Sequence, residues 1–286
     1  MRIRATAAAA TLTGALALTA LALPTAQAAD APAFDKPAAA SVFGSHAKSA
    51  FAATAEAAEP TVSNVTINAG KEIVMGTATV KTINVSLTAS HAAGIEDAYI
   101  DLWHGTDLDH VDGYLGPNED AATCTASSAT TSTCKLTITV DPQVDLYKNA
   151  LSGAWHVTAA ALAGDGSIYA NDFYKNHYVK RYSKLTVNAS PEPVRRGATL
   201  TVTGKLTRAN WETGTYTGYG TQKIALQFRK AGTSTYTTIK TVTADSTGYV
   251  KTTTTSTTAD GYWRLSYGGS ATTSSVNATG DYVDVQ

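Results

Sequence analysis

Charge is scarce in this chain. Only 16% of its 286 residues are Asp, Glu, Lys or Arg, too few to solvate the outer faces of long helices. A net charge of -1 and a pI near 6.6 lack the basic excess with which proteins hold nucleic acid, so that class of partner is excluded. Neither a Gly-x-Ser-x-Gly elbow nor a His-Glu-x-x-His helix occurs. Glu96 and Asp97 are neighbours on an expected strand, point to opposite faces and cannot flank one glycosidic bond. Gly164-Asp165-Gly166 opens no helix and reads as a hairpin turn, not as a phosphate cradle. The sequence therefore predicts a chain that is not an enzyme.

Long apolar runs are also missing, with one exception at the start. Residues 1–28 (MRIRATAAAATLTGALALTALALPTAQA) place Arg2 and Arg4 before an apolar stretch that ends at Pro24, followed by the small-residue site Ala26-Gln27-Ala28. This is the pattern of a secretory signal peptide; the stretch is too short and too diluted by Ala and Thr for a membrane anchor. The expected mature product is a secreted, extracellular monomer with no membrane anchor. The two cysteines, Cys124 and Cys134, fit an oxidising compartment: nine residues lie between them, a span suited to a disulfide closing a loop or hairpin. A zinc site would need a second ligand pair that the spacing lacks.

Threonine is plentiful, 46 positions, beside 14 Tyr and only 2 Met, a vocabulary of strands with one wetted face. Residues 29–59 are Ala-rich without a clear period and read as a disordered linker. From Pro60 the texture changes. Ile83, Val85, Leu87 and Ala89 alternate with polar residues, and further strands are expected at 98–103, 135–140, 154–161 and within 168–179. Alternation resumes at 200–206 and 223–229. Many short strands with no helical period between them predict an all-β protein of two antiparallel β-sandwiches, over 60–182 and 183–286. Trp155 and Trp263 each begin an inward-facing row in a shared Gly-x-Trp-x-aliphatic pattern, and so belong to the cores.

The segments KLTVNASPEPVRRGATLTVTGKLTRANW, LQFRKAGTSTYTTIKTV, ADGYWRLSYGGS and TGDYVDV resemble the immunoglobulin-like modules of exported proteins from high-GC Gram-positive bacteria. The chain as a whole is similar in architecture, from Pro60 to Gln286, to secreted bacterial two-domain immunoglobulin-like proteins. The resemblance implies tandem β-sandwiches, secretion and no catalysis, and related secreted chains often carry a calcium-binding label.

Charge is unevenly spread. Residues 60–182 hold 13 acidic and 7 basic side chains, net -6, and residues 183–286 hold 6 and 11, net +5. Between Thr82 and Cys134 there are eight acidic residues and no Lys or Arg. Five of them, Asp107, Asp109, Asp112, Glu119 and Asp120, fall in DLDHVDGYLGPNED. Calcium takes six to eight oxygens from a flexible loop, so calcium is the cofactor this stretch would take, although its spacing departs from the EF-hand loop by one residue. His104 and His110, flanking Asp107 and Asp109, offer zinc or copper as a variant without a matching motif. A second candidate is the loop RANWETGTYTGYGTQK, where Trp211, Tyr216 and Tyr219 could stack on a cell-wall or other extracellular polysaccharide, or instead fold back over a sandwich edge. An extracellular adhesion or glycan-binding module is therefore the alternative to a calcium-binding one, with a protein partner also open.

Overall fold

The computed structural model describes residues 34–44 and 58–286. The expected signal peptide and the stretch 45–57 lie outside the described residues. Alternating apolar side chains produce strands almost throughout. In the first half they are β1 (Thr61–Ile67), β2 (Ile73–Met75), β3 (Lys81–Ser90), β4 (Ile95–Gly105), β5 (Val111–Leu115), β6 (Thr123–Ala126), β7 (Thr131–Val140), β8 (Gly153–Ala163) and β9 (Ile168–Arg181). One sheet runs β1-β3-β7-β6 and the facing one β2-β9-β8-β4-β5, with β2 parallel to β9 and the other pairs antiparallel. First, third, seventh and sixth strands on one side, and second, ninth, eighth, fourth and fifth on the other, is an immunoglobulin-type sandwich. Ile83, Val85 and Leu87 meet Ile100, Leu102, Trp155 and Val157 between the layers, as the two-residue period requires. Trp155 is fully buried, and its indole N–H donates to Leu151 O at 2.7 Å.

The second half repeats the plan. Its strands are β10 (Ser183–Leu185), β11 (Asn188–Ser190), β12 (Leu200–Asn210), β13 (Thr215–Gly218), β14 (Lys223–Lys230), β15 (Thr237–Thr243), β16 (Tyr249–Thr254), β17 (Gly261–Tyr267), β18 (Val276–Asn277) and β19 (Asp281–Val283). β12 takes β10, β11, β13 and β16 as partners, and the opposing sheet runs β15-β14-β17 with β18 and β19 on the outer edge of β17. Trp263 is buried among Leu200, Val202, Leu226 and Leu265, so both tryptophans of the repeated pattern are core residues.

The two sandwiches share a cemented junction. Only Tyr182 separates β9 from β10, and its N–H and C=O bond to Met75 O and Ala209 N, each at 2.8 Å. Arg181, buried beside it, donates Nε–H to Ala209 O at 2.5 Å. Burial pulls its guanidinium down to about 10, with Arg208 acting in the same direction. Ala209 and Trp211, at the end of β12, belong to the apolar cluster of the first half.

Residues 34–44 differ from the expected linker. They lie as a strap, containing a single 3-10 turn over Ala39–Ser41, across the outer face of β8 and β4. Ala39 and Phe43 bury against Ala160 and Leu162, with Val42, Tyr99 and Ile168 around them. Phe34 stacks on Tyr147 at 6.0 Å. An outer sheet face normally meets water on its second side; here the strap covers it, which is why Asp101 and Trp103 are buried although they point away from the sandwich core.

Candidate functional site

The acidic stretch runs from the β4-β5 turn through β5 into the β5-β6 connection and does not close on a point. Asp107 caps its own turn: its Oδ1 accepts from Asp109 N–H at 3.0 Å and lies 2.7 Å from His110 Nδ1. That contact lowers the Asp107 carboxyl below its ordinary range and raises the His110 imidazole. Asp112, on β5, faces the other way, with Oδ1 2.5 Å from His104 Nδ1 and Oδ2 2.7 Å from Lys148 Nζ. Burial opposes its ionisation, but Lys148 and His104 outweigh it and hold the carboxyl below normal. Glu119 is stitched to β7, accepting from Thr137 N–H at 2.8 Å and from the Thr137 hydroxyl at 2.6 Å. Asp120 lines a different recess with Glu96, Asp97, Val42 and Phe43, and the Asp109 backbone, not its carboxylate, is what meets Asp107. Among the described residues no three His, Cys, Asp or Glu side chains gather where they could hold a metal ion. The turn chemistry of Asp, Asn and Gly accounts for the composition of this loop.

Cys124 and Cys134 are disulfide-bonded directly across the β6-β7 hairpin, their Cα atoms 3.9 Å apart. The bond lies within one sheet, unlike the inter-sheet disulfide of antibody domains.

The aromatic loop after β12 folds back. Trp211 is only 6% exposed, and its indole N–H reaches across the junction to Gly76 O at 3.0 Å. The Asn149 side chain receives Trp211 N–H at 3.0 Å and bonds Asn210 at 2.8 Å. Tyr216 lies under Lys184 Nζ at 3.5 Å and against Tyr182, while Tyr219 stacks with Arg208 at 3.9 Å and Tyr267 at 5.8 Å. Trp211 and Tyr216 thus pack against the first core and Tyr219 against the second, with both tyrosines half-buried.

Sequence reasoning passed over another surface, on the outer face of the β15-β14-β17-β19 sheet. Register sets Arg229 of β14 opposite Tyr262 of β17, and Tyr262 opposite Tyr282 of β19. Arg229 lies 4.1 Å over the Tyr262 ring, which meets Tyr282 at 5.2 Å. The next row pairs Gln227 with Arg264, whose Nε donates to Gln227 Oε1 at 2.8 Å. Tyr236, from the β14-β15 turn, spans both rows, with Arg264 at 3.7 Å and Arg229 at 5.3 Å from its ring. Stacking restrains each guanidinium plane, and Arg229 Nη1 also donates to Thr233 O as Arg264 Nε does to Gln227 Oε1. Every ion pair among the described residues joins residues between Lys36 and Lys180; in 183–286 the nearest approach to one is Lys205, whose charge helps lower the Asp245 carboxyl. The signal available in the sequence was the alternation Tyr262, Arg264, Ser266 opposite Trp263 and Leu265, together with the net charge of this half.

No family model and no curated protein matches the chain. Among solved structures it is similar to an alpha-2-macroglobulin of Salmonella at 11% identity and a TM-score of 0.30, over 81% of this chain and 15% of that one. It is also similar to the Yersinia pseudotuberculosis adhesin InvE at 13% identity and a TM-score of 0.27, over 77% and 58%. A third likeness is to the mouse nectin-like molecule 4 ectodomain, at 14% identity and a TM-score of 0.24, over 79% and 64%. The chain thus spans about a seventh of the macroglobulin and less than two thirds of the other two. Likenesses this distant carry no functional argument, and the architecture stands on the strand order itself.

Proposed function

We propose that this is a non-catalytic extracellular binding module whose contact surface is the Arg–Tyr face of the second sandwich, suited to an anionic polysaccharide of a cell wall or matrix. The observation that carries the reading is the row Arg229–Tyr262–Tyr282 with Arg264 and Tyr236 beside it, in a half to which none of the ion pairs among the described residues belongs. Pre-stacked guanidinium groups suit bidentate contact with carboxylate or phosphate oxygens, and the tyrosine rings suit the apolar faces of sugars. Little side-chain freedom remains to be lost on binding. Calcium at Asp107, Asp109, Asp112, Glu119 and Asp120 does not enter this reading, because Asp112 and Glu119 already have partners on other elements.

Co-sedimentation with insoluble anionic cell-wall polysaccharide, with neutral cellulose as control, tests it. Retention should fall as salt shortens the Debye length from ~10 Å at 0.1 M to ~3 Å at 1 M. Arg229→Ala combined with Arg264→Ala should weaken binding at least tenfold, since a hydrogen bond to a charged group is worth about 1.5–3 kcal/mol. Equal retention on cellulose, or binding indifferent to the double substitution, would overturn the proposal.

A further inference from the structure

Lys36 is the one charged group by which the strap enters the protein, and it ends between two carboxylates. Its Nζ lies 2.5 Å from Asp172 Oδ1 and 3.6 Å from Asp101 Oδ2. The side chains of Lys36 and Asp101 are 1% and 0% exposed, and that of Asp172 is 16% exposed. The sheet builds this pocket deliberately. Asp101 on β4 sits opposite Thr158 on β8, and beyond Thr158 the register of β9 slips, Val157 pairing with Lys175 but Ala159 with Asn171. Such an irregularity re-aims side chains, and here it turns Asp172 toward Lys36. Trp103 Nε1 donates to Asp172 O at 2.9 Å and fixes its backbone. Trp103 and Tyr99 wall the site, Tyr99 donating its hydroxyl to Asp101 Oδ2 at 3.1 Å.

Three ionisable groups so largely withdrawn from water are costly to hold as ions. For the pair to react, one proton must pass from the ammonium to the Asp172 carboxylate it touches, leaving an amine against a carboxylic acid. The carboxyl carbon is one bond beyond the oxygen that Nζ touches, so the two reacting groups are already in contact. Ala39 N–H lies 3.2 and 3.3 Å from the two Asp172 oxygens, directed at the atoms that gather negative charge if the amine attacks. Asp101 Oδ1, buried beside them, has no hydrogen-bond partner.

We propose that Lys36 and Asp172 join through an amide between Nζ and Cγ, with Asp101 carrying the proton. The amine lone pair forms the N–C bond, and the tetrahedral carbon holds the former carboxyl oxygens. The Asp101 carboxylate takes a proton from nitrogen and delivers it to the departing hydroxyl. The C–O bond breaks, one water leaves, and Asp101 returns to its starting state. No oxidant, reductant or cofactor is required, and net charge is unchanged. Desolvation, only partly offset by Lys36, pushes Asp101 up to about 6, which lets it accept and release a proton near neutral pH. Holding the partners in contact substitutes for an effective concentration on the order of 10⁵–10⁸ M, and exclusion of solvent opposes hydrolysis. The product ties residues 34–44 covalently to the bulge of β9.

Intact-mass measurement of the full secreted chain decides the matter. The expected mass is one water below that calculated with the Cys124–Cys134 disulfide, and proteolysis should release a branched peptide whose fragments join Lys36 to Asp172. Lys36→Arg and Asp172→Ala should restore the full mass. Asp101→Asn keeps both bonding partners and should slow closure by roughly 10²–10⁴-fold, the usual share of general acid–base catalysis; far-UV circular dichroism confirms its fold. A wild-type chain of full mass overturns the proposal without recourse to any variant. So does a missing water accompanied by linear peptides at both residues, which would mark a dehydrated aspartate instead.

Discussion

Trp211→Ala is the substitution that most directly probes how the two sandwiches are joined. The indole is 6% exposed and packs into the apolar cluster of the first half, although it belongs to the second. Truncating so buried a ring removes its transfer free energy and leaves a cavity, together about 3–5 kcal/mol. The deleted N–H also strips Gly76 O of its donor at 3.0 Å, a loss of roughly 1 kcal/mol. The two terms overlap, so the expected destabilisation is about 3–5 kcal/mol and not their sum. Trp211→Phe separates them: it fills most of the space without the donor and should cost about 1–2 kcal/mol. Urea unfolding followed by far-UV circular dichroism gives both values, read as shifts of midpoint at constant slope. A change under ~1 kcal/mol for Trp211→Ala would mean that the ring does not fill the junction, and the account of a cemented connection would fail with it.

Three other outcomes are expected. Reducing the Cys124–Cys134 bond should lower stability by up to about 3 kcal/mol, the chain-entropy figure for a short loop, seen as a lower melting temperature in reductant; an unchanged value would place the hairpin outside the cooperative unit. His110 should titrate above the ordinary imidazole value by proton NMR and return toward it in Asp107→Asn. By sign, a raised folded value means that this pairing stabilises below about pH 6.5 and is lost as pH rises through the folded pKa. Millimolar calcium should leave the His110 titration in place, whereas a cation that captured Asp107 would abolish the shift. Asp112, held below its ordinary value despite partial burial by Lys148 and His104, should add stability above about pH 4 and lose it as pH falls through the depressed value. Asp112→Asn should flatten that acid limb, and an unaltered pH–stability profile would count against the contact.

Much of the fold was legible because strands advertise themselves by a two-residue period. Ile83, Val85, Leu87 and Ala89 are buried along β3 as their spacing requires, and Trp155 and Trp263 lie in the cores. The cysteine pair was legible because ten positions suit a hairpin. The strap was not, since Ala39 and Phe43 follow no period and Lys36 gains its meaning only from Asp101 and Asp172, more than sixty positions away. Asp101 and Trp103 are buried on the face that alternation assigns to solvent, for the same reason. Composition drew attention to the carboxylates of 107–120, but the register of β4, β5 and β7 decides where they go. It sends Asp112 to Lys148 and Glu119 to Thr137. The Arg–Tyr face escaped notice because its members come from β14, β17, β19 and a turn, and only strand pairing makes them neighbours.

With Tyr182 alone between β9 and β10, both of its backbone groups already bonded, the molecule has no slack at its middle. A torque applied to one sandwich would pass to the other, and a ligand of the kind proposed for the Arg–Tyr rows would be held at a fixed bearing to the strapped sheet. The expected consequence is stiffness between the two sandwiches, which a few glycines inserted after Tyr182 would turn into a swivel.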